Sequence, residues 1–205
     1  VGKPILVRAE GEQLKQSIAR AMKYGQRLHI CHITQATEVE DVRQAKAGGL
    51  SISAGVCPHH LALTAEARER MKGYAVMKPP LGTDEDQAAL WAGLADGTID
   101  LVETDHAPHS REEKEKDPPA FGVTGLETSL SIIYKGVKDG LLTEERMIEA
   151  MYTLPKKIFN IPDQPDTYIE VDMDASWTVG EHGYETKANS SPFEGLVLPG
   201  VVTKV

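Results

Sequence analysis

Leu101-Val-Glu-Thr-Asp-His-Ala-Pro-His109 sets a carboxylate and two imidazoles within five residues behind an apolar start. Ile99, Leu101 and Val102 read as a short buried strand, and Ala107-Pro108 stops regular structure. Asp105, His106 and His109 therefore stand where a strand gives way to a loop. Barrels built from β/α units hold their chemistry at that end of the strands. Carboxylate and imidazole are also the groups that bind divalent metals or move protons. Read alone, the same stretch is equally a polar strand end, with Asp105 capping a turn and the histidines solvated. Leu28-His-Ile-Cys-His-Ile-Thr34 argues against that reading, because it is a second strand-like run that places polar groups at the end of an apolar alternation.

Outward from these two runs the chain keeps a strand–helix rhythm. Pro4 to Arg8 is a short apolar strand, followed by Leu14, Ile18, Ala21 and Met22 at the spacing of one helix face. After Leu28 to Ile33 come Val39, Val42 and Ala45, a helix stopped at Gly48-Gly49. Leu50 to Val56 is a third strand, succeeded by an excursion that reads as polar, Cys57-Pro-His-His-Leu61, a helix from about Thr64 and a break at Gly73. Thr83-Asp-Glu-Asp86 is a capping box opening a helix through Leu90, Trp91 and Leu94. The fourth strand spans Ile99 to Glu103. Two further helices are expected over Gly125–Lys138 and Thr143–Tyr152, the second capped by Thr143.

Four strands with connections long enough for right-handed crossovers predict parallel βαβ architecture. Such a set is half of an eight-stranded barrel of about 250 residues. Ile5, Leu28, Leu50 and Ile99 are expected to begin four adjacent parallel strands, whose open edges would pair with another half-barrel or a second copy. The alternation Tyr168 to Asp172 and the run Leu196 to Val205 predict strands of a small β module. The boundary falls between residues 1–160 and 161–205, and the last strand is expected to find its partner elsewhere.

Composition limits the function. The 205 residues carry a net charge of −9 and 40% hydrophobic residues, with a sequence pI near 5.3. An electrostatic grip on nucleic acid or an anionic membrane is excluded on charge. No apolar run approaches the roughly 18 residues that span a bilayer. Cys31 and Cys57 are not in a paired pattern, which argues against a disulfide framework and for a cytoplasmic protein. The absence of an initiator Met and the start at a strand predict a piece of something longer.

His29-Ile-Cys-His32, Cys57-Pro-His-His-Leu61, Pro79-Pro-Leu81, Thr104-Asp-His-Ala-Pro-His109, Gly125-Leu-Glu-Thr128 and Ser191-Pro-Phe-Glu-Gly195 follow one another in an order that resembles dihydroorotase of the amidohydrolase superfamily, in particular the dihydroorotase domain of the animal multifunctional pyrimidine-synthesis protein. The resemblance implies an α/β fold, a parallel (β/α)8 TIM-type barrel of which this chain supplies the last four units. It also implies a zinc hydrolase interconverting dihydroorotate and N-carbamoyl-aspartate. The family's His-x-His segment and its strand-four ligand would belong to the missing N-terminal half. Carried over by position, His32 matches the strand-six zinc ligand. Asp105 matches the strand-eight aspartate, which holds zinc and takes the proton of the attacking hydroxide. His109 matches the residue that contacts the substrate carboxylate, and Lys78 stands where relatives place an Arg or Asn against the substrate. His29, His59, His60 and His106 are expected to be structural, and His182 to lie on the surface. The implied partners are the small-molecule substrate, the missing half-barrel, a second copy in a homo-oligomer and other pyrimidine enzymes.

Two departures from the family pattern bear on activity. Arg8 occupies the strand-five position where the family has a metal-binding histidine, and a guanidinium has no lone pair to give. Gly55 replaces an acidic residue that many relatives carry shortly before Pro-His-His. Only His32 and Asp105 then remain of the ligands this half would supply, too few to hold zinc. Arg8 is expected to bridge toward Asp105 and repel a divalent ion, leaving the chain without hydrolase activity of its own; a pairing of Arg8 with Glu10 is the alternative. The readings in play are a dihydroorotase with a variant metal site, an inactive dihydroorotase-like scaffold and an unrelated α/β binding module.

Overall fold

The computed structural model describes residues 2–204. Strands β1 (Ile5–Val7), β2 (Leu28–Ile30), β3 (Ile52–Val56) and β4 (Leu101–Val102) form one sheet in that order, every neighbouring pair parallel. Helices α1 (Gly11–Tyr24), α2 (Ala36–Ala47) and α5 (Asp84–Asp96) make the crossovers, with α3 (Pro58–Ala62) and α4 (Ala65–Met71) inserted after β3. This is the half-barrel expected from the alternation, although the strands are shorter than their apolar runs. Residues at the strand ends leave the ladder to build loops.

Each crossover is anchored by identifiable chemistry. Thr83 and Asp86 close the expected capping box on α5, the hydroxyl accepting from the Asp86 N–H at 3.2 Å while the carboxylate accepts from the Thr83 N–H at 2.9 Å. The other oxygen of Asp86 accepts from the Ala36 N–H at 2.8 Å and so ties the start of α2 to that of α5. Buried Glu38 does the same for three segments, accepting from the N–H groups of Gly11, Thr34 and Gln35. A carboxylate removed from water is tolerated because N–H donors replace its hydration. On α1, Leu14 and Ala21 are buried as the spacing predicts, whereas Met22 faces solvent.

After β4 come α6 (Arg111–Glu115), α7 (Ser129–Lys138), α8 (Glu144–Ile148), a π turn over Glu149–Thr153 and α9 (Leu154–Phe159). Gly136 lets α7 lie against α5, because a Cβ there would stand 2.3 Å from the Trp91 ring. Buried Arg146 fixes α8 beneath the sheet by donating to the carbonyls of Leu94, Ile99 and Asp100. Strands β5 (Glu170–Thr178) and β6 (Val197–Lys204) pair antiparallel as a second sheet. The final strand thus has one partner within the chain, β5. Phe193, Leu198 and Val179 from this region share a core with Ile132 of α7 and with Leu63, Met77 and Leu81.

The middle and the β1 edge of the parallel sheet differ. All residues of β2 and β3 are buried, whereas Ile5 and Leu6 of edge strand β1 are 51% and 57% exposed. Apolar side chains on an open strand edge mark a surface built to be covered. Among the described residues no helix is long and apolar enough to cross a membrane.

Candidate functional site

The C-terminal ends of β1, β2 and β4 converge on one charged constellation. Arg8, one residue beyond β1, donates through Nε to His32 Nε2 at 2.9 Å and through Nη2 to Asp105 Oδ2 at 3.2 Å. The expected bridge to Asp105 is therefore present, and Arg8 reaches the second of the expected ligands as well. His32 and Asp105 are both held at φ 41°, in the left-handed region. Non-glycine residues are kept there at about 1–3 kcal/mol each only where the surroundings enforce it. That the two residues share this geometry, at the ends of different strands, marks a site whose side chains are aimed.

A zinc ion does not fit this arrangement. It needs the lone pair of His32 and the charge of Asp105, and the guanidinium uses both while carrying a positive charge of its own. Because Nε2 accepts from Arg8, the proton of neutral His32 is on Nδ1, which is buried and finds no partner. The space beside Gly55, where the resemblance leads one to expect an acidic residue, is filled by a carboxylate from another strand. A Cβ on Gly55 would lie 2.6 Å from the Glu103 carboxyl, which enters this space from β4. Glu103 accepts from the backbone N–H of His32 and pairs with His29 Nε2 at 3.5 Å. Sequence reasoning passed over Glu103, which lies in the opening stretch but reads there as a strand residue.

His29 is fully buried, with Nδ1 at 2.9 Å from Ser53 Oγ and its ring edge-on to Phe159. His106 accepts from the N–H groups of Gly125 and Leu126, closing the turn before α7. His182 is on the surface, its side chain 88% exposed. Lys78 is exposed. His109 has Nε2 at 2.9 Å from the Phe121 carbonyl and Nδ1 at 3.6 Å from Glu113. The loop that holds it is knotted by Lys114, whose buried ammonium donates to the carbonyls of Val76, Ala120 and Gly122 at 2.7–2.9 Å. Burial pulls that ammonium down to about 8.

Behind the mouth lies a drier group. Cys57, His59 and His60 are all buried, because the stretch that reads as a polar excursion folds into α3 and turns inward under Trp91. The two imidazole rings stand 4.3 Å apart. Desolvation lowers both histidines, His60 to about 4, and each feels His32. Desolvation also pushes the Cys57 thiol well up, with the negative charges of Glu103 and Asp105 adding to it.

The chain has relatives both in sequence and in fold. No family model matches the chain. Over 98% of its length it is 41% identical to multifunctional protein pyr1-3 of Dictyostelium discoideum, of which it covers 9%. It is 39% identical to a dihydroorotase of Lactobacillus delbrueckii over 96% of the chain, covering 49% of that protein. Among solved structures, an L-hydantoinase from Arthrobacter aurescens superposes with a TM-score of 0.86 at 28% identity, over 93% of this chain and 46% of that one. The inactive dihydroorotase-like domain of the Chaetomium thermophilum CAD-like multifunctional protein gives 0.79 at 28% identity, over 97% and 55%. The chain thus spans about half the length of the dihydroorotases it matches, and its architecture is the corresponding portion of the TIM-barrel amidohydrolase fold. Close in sequence to dihydroorotases and alike in fold to an inactive dihydroorotase-like domain, the chain is a homologue of the dihydroorotases.

Proposed function

We propose that this chain is the C-terminal half of a dihydroorotase-like barrel of pyrimidine synthesis in which a guanidinium has taken the metal's place, so that the module is not itself a cyclic amide hydrolase. The observation that carries this is Arg8, hydrogen-bonded to both His32 and Asp105. Asp105 in this setting cannot serve as the proton acceptor for a metal-bound hydroxide, since its cationic partner is a side chain that neither lowers the pKa of water nor polarises an amide carbonyl. The substrate contacts are the parts that persist. His109 in its braced loop and the exposed Lys78 are the groups for the carboxylate of dihydroorotate or N-carbamoyl-aspartate, which leaves a site able to hold the ligand.

The remaining assignments follow from this reading. Residues 1–160 form the half-barrel and 161–205 the β module, a division supported by the two separate sheets. The other half of the barrel covers the exposed edge of β1, and a homo-oligomer and neighbouring pyrimidine enzymes are the further partners, in keeping with relatives described as multifunctional proteins. The setting is cytoplasmic. In the protein that carries this chain, dihydroorotate hydrolysis should be absent, and Arg8→His should take up one more zinc ion per chain than the wild type. Hydrolysis together with two zinc ions per chain in the unaltered protein would overturn the reading.

A further inference from the structure

The described residues contain two groupings of ligand-type atoms in which every atom lies within 4.8 Å of the others, His29/Cys31/Glu103 and Cys57/His59/His60. They differ in what the atoms already do. In the first, His29 is engaged by Ser53 and Glu103, and Glu103 by His29 and the His32 N–H. In the second, Nδ1 of His59 and Nδ1 of His60 are buried with no partner at all. Buried polar atoms are nearly always paired, so two orphans side by side next to a buried thiol call for an explanation.

The tautomer of His60 supplies one. Its Nε2 lies 3.2 Å from the Pro79 carbonyl. A carbonyl only accepts, so Nε2 carries the proton and the buried, unpartnered Nδ1 keeps its lone pair, in a residue grouped with Cys57 and His59. A ring N–H fixed on a backbone carbonyl while the other nitrogen points inward is the support that metal-bound histidines have. We propose that Cys57, His59 and His60 form a site for a borderline-soft divalent cation of the zinc type, separate from the Arg8–His32–Asp105 constellation. One sulfur and two imidazole nitrogens are the donor types that zinc selects over magnesium or calcium. Binding forms one metal–sulfur and two metal–nitrogen bonds and releases the thiol proton to solvent. His32 is not a ligand here, because its Nδ1 bears the proton. The site uses no residue that Arg8 touches, so it stands whether or not the hydrolase has been silenced.

The test is titration of the chelator-stripped protein that carries this chain with Co2+ alone. Wild type and Cys31→Ser should develop a thiolate-to-cobalt charge-transfer band at one equivalent, and Cys57→Ser should not. His60→Gln should weaken binding by more than the roughly 10–100-fold that loss of a single outer partner costs at such sites. No band in the wild type, or a band lost in Cys31→Ser and kept in Cys57→Ser, would overturn the proposal. X-ray absorption on the zinc-loaded wild type decides the matter without any variant: a shell with one sulfur and at least two imidazole nitrogens supports the site, and a shell without sulfur removes it.

Discussion

The Arg8 constellation and the Cys57/His59/His60 group lie at the same end of the sheet, yet they handle polar atoms in opposite ways. At the mouth, charge is abundant and solvated: the side chain of Arg8 is 62% exposed, and every charge there has a counter-charge or an N–H donor. Under α3, polar atoms are few and dry, and some have no partner. In the first region water and salt can repair a lost contact; in the second nothing can. Chemistry at the mouth is therefore easily exchanged by mutation, whereas the group behind it should be sensitive to protonation and to metal.

The largest expected effect exploits that sensitivity. His60 is lowered from 6.5 to about 4 by burial. The unfolded chain binds its proton from about pH 6.5 downward and the folded chain does not, so the stability contribution is full above about 6.5 and is lost as pH falls toward 4. A difference of this size corresponds to about 3 kcal/mol. Urea midpoints from pH 7 to 4 should drop in the wild type and drop less in His60→Leu, where buried His59 still resists protonation; an equal drop in both would erase the contrast between the regions. Next in size is Lys114→Met, which leaves three buried carbonyls without their donor and should cost about 1–3 kcal/mol by chemical denaturation while freeing the loop that carries His109. His59→Leu removes an orphaned atom, so the metal-free protein should keep its stability or gain about 1 kcal/mol, while any thermal shift on adding zinc is lost. The smallest effect is Arg8→Met. An exposed ion pair contributes about 0–1 kcal/mol, so the unfolding midpoint should barely move; a loss of several kcal/mol would mean that the mouth is as dry as the group behind it.

Much of this was legible in the residues. The parallel order of four strands follows from apolar runs separated by helical periods, and the Arg8–Asp105 pair follows from a guanidinium standing where the family pattern has an imidazole. The burial of α3 was hidden because His59 and His60 look polar, and only packing beneath Trp91 decides that they face inward. Glu103 was hidden for another reason. Its role depends on an N–H 71 positions away and on the absence of a side chain at Gly55, a relation that no periodicity encodes. The last strand misled because its partner, β5, precedes it across a long irregular connection.

The missing side chain at Gly55 couples two distant positions. Any side chain restored there meets Glu103, and Glu103 cannot withdraw without abandoning the His32 N–H and His29. A side chain at position 55 would push the Glu103 carboxylate off these partners, so the two positions are coupled: what stands at one decides whether the other still holds the loop after β2.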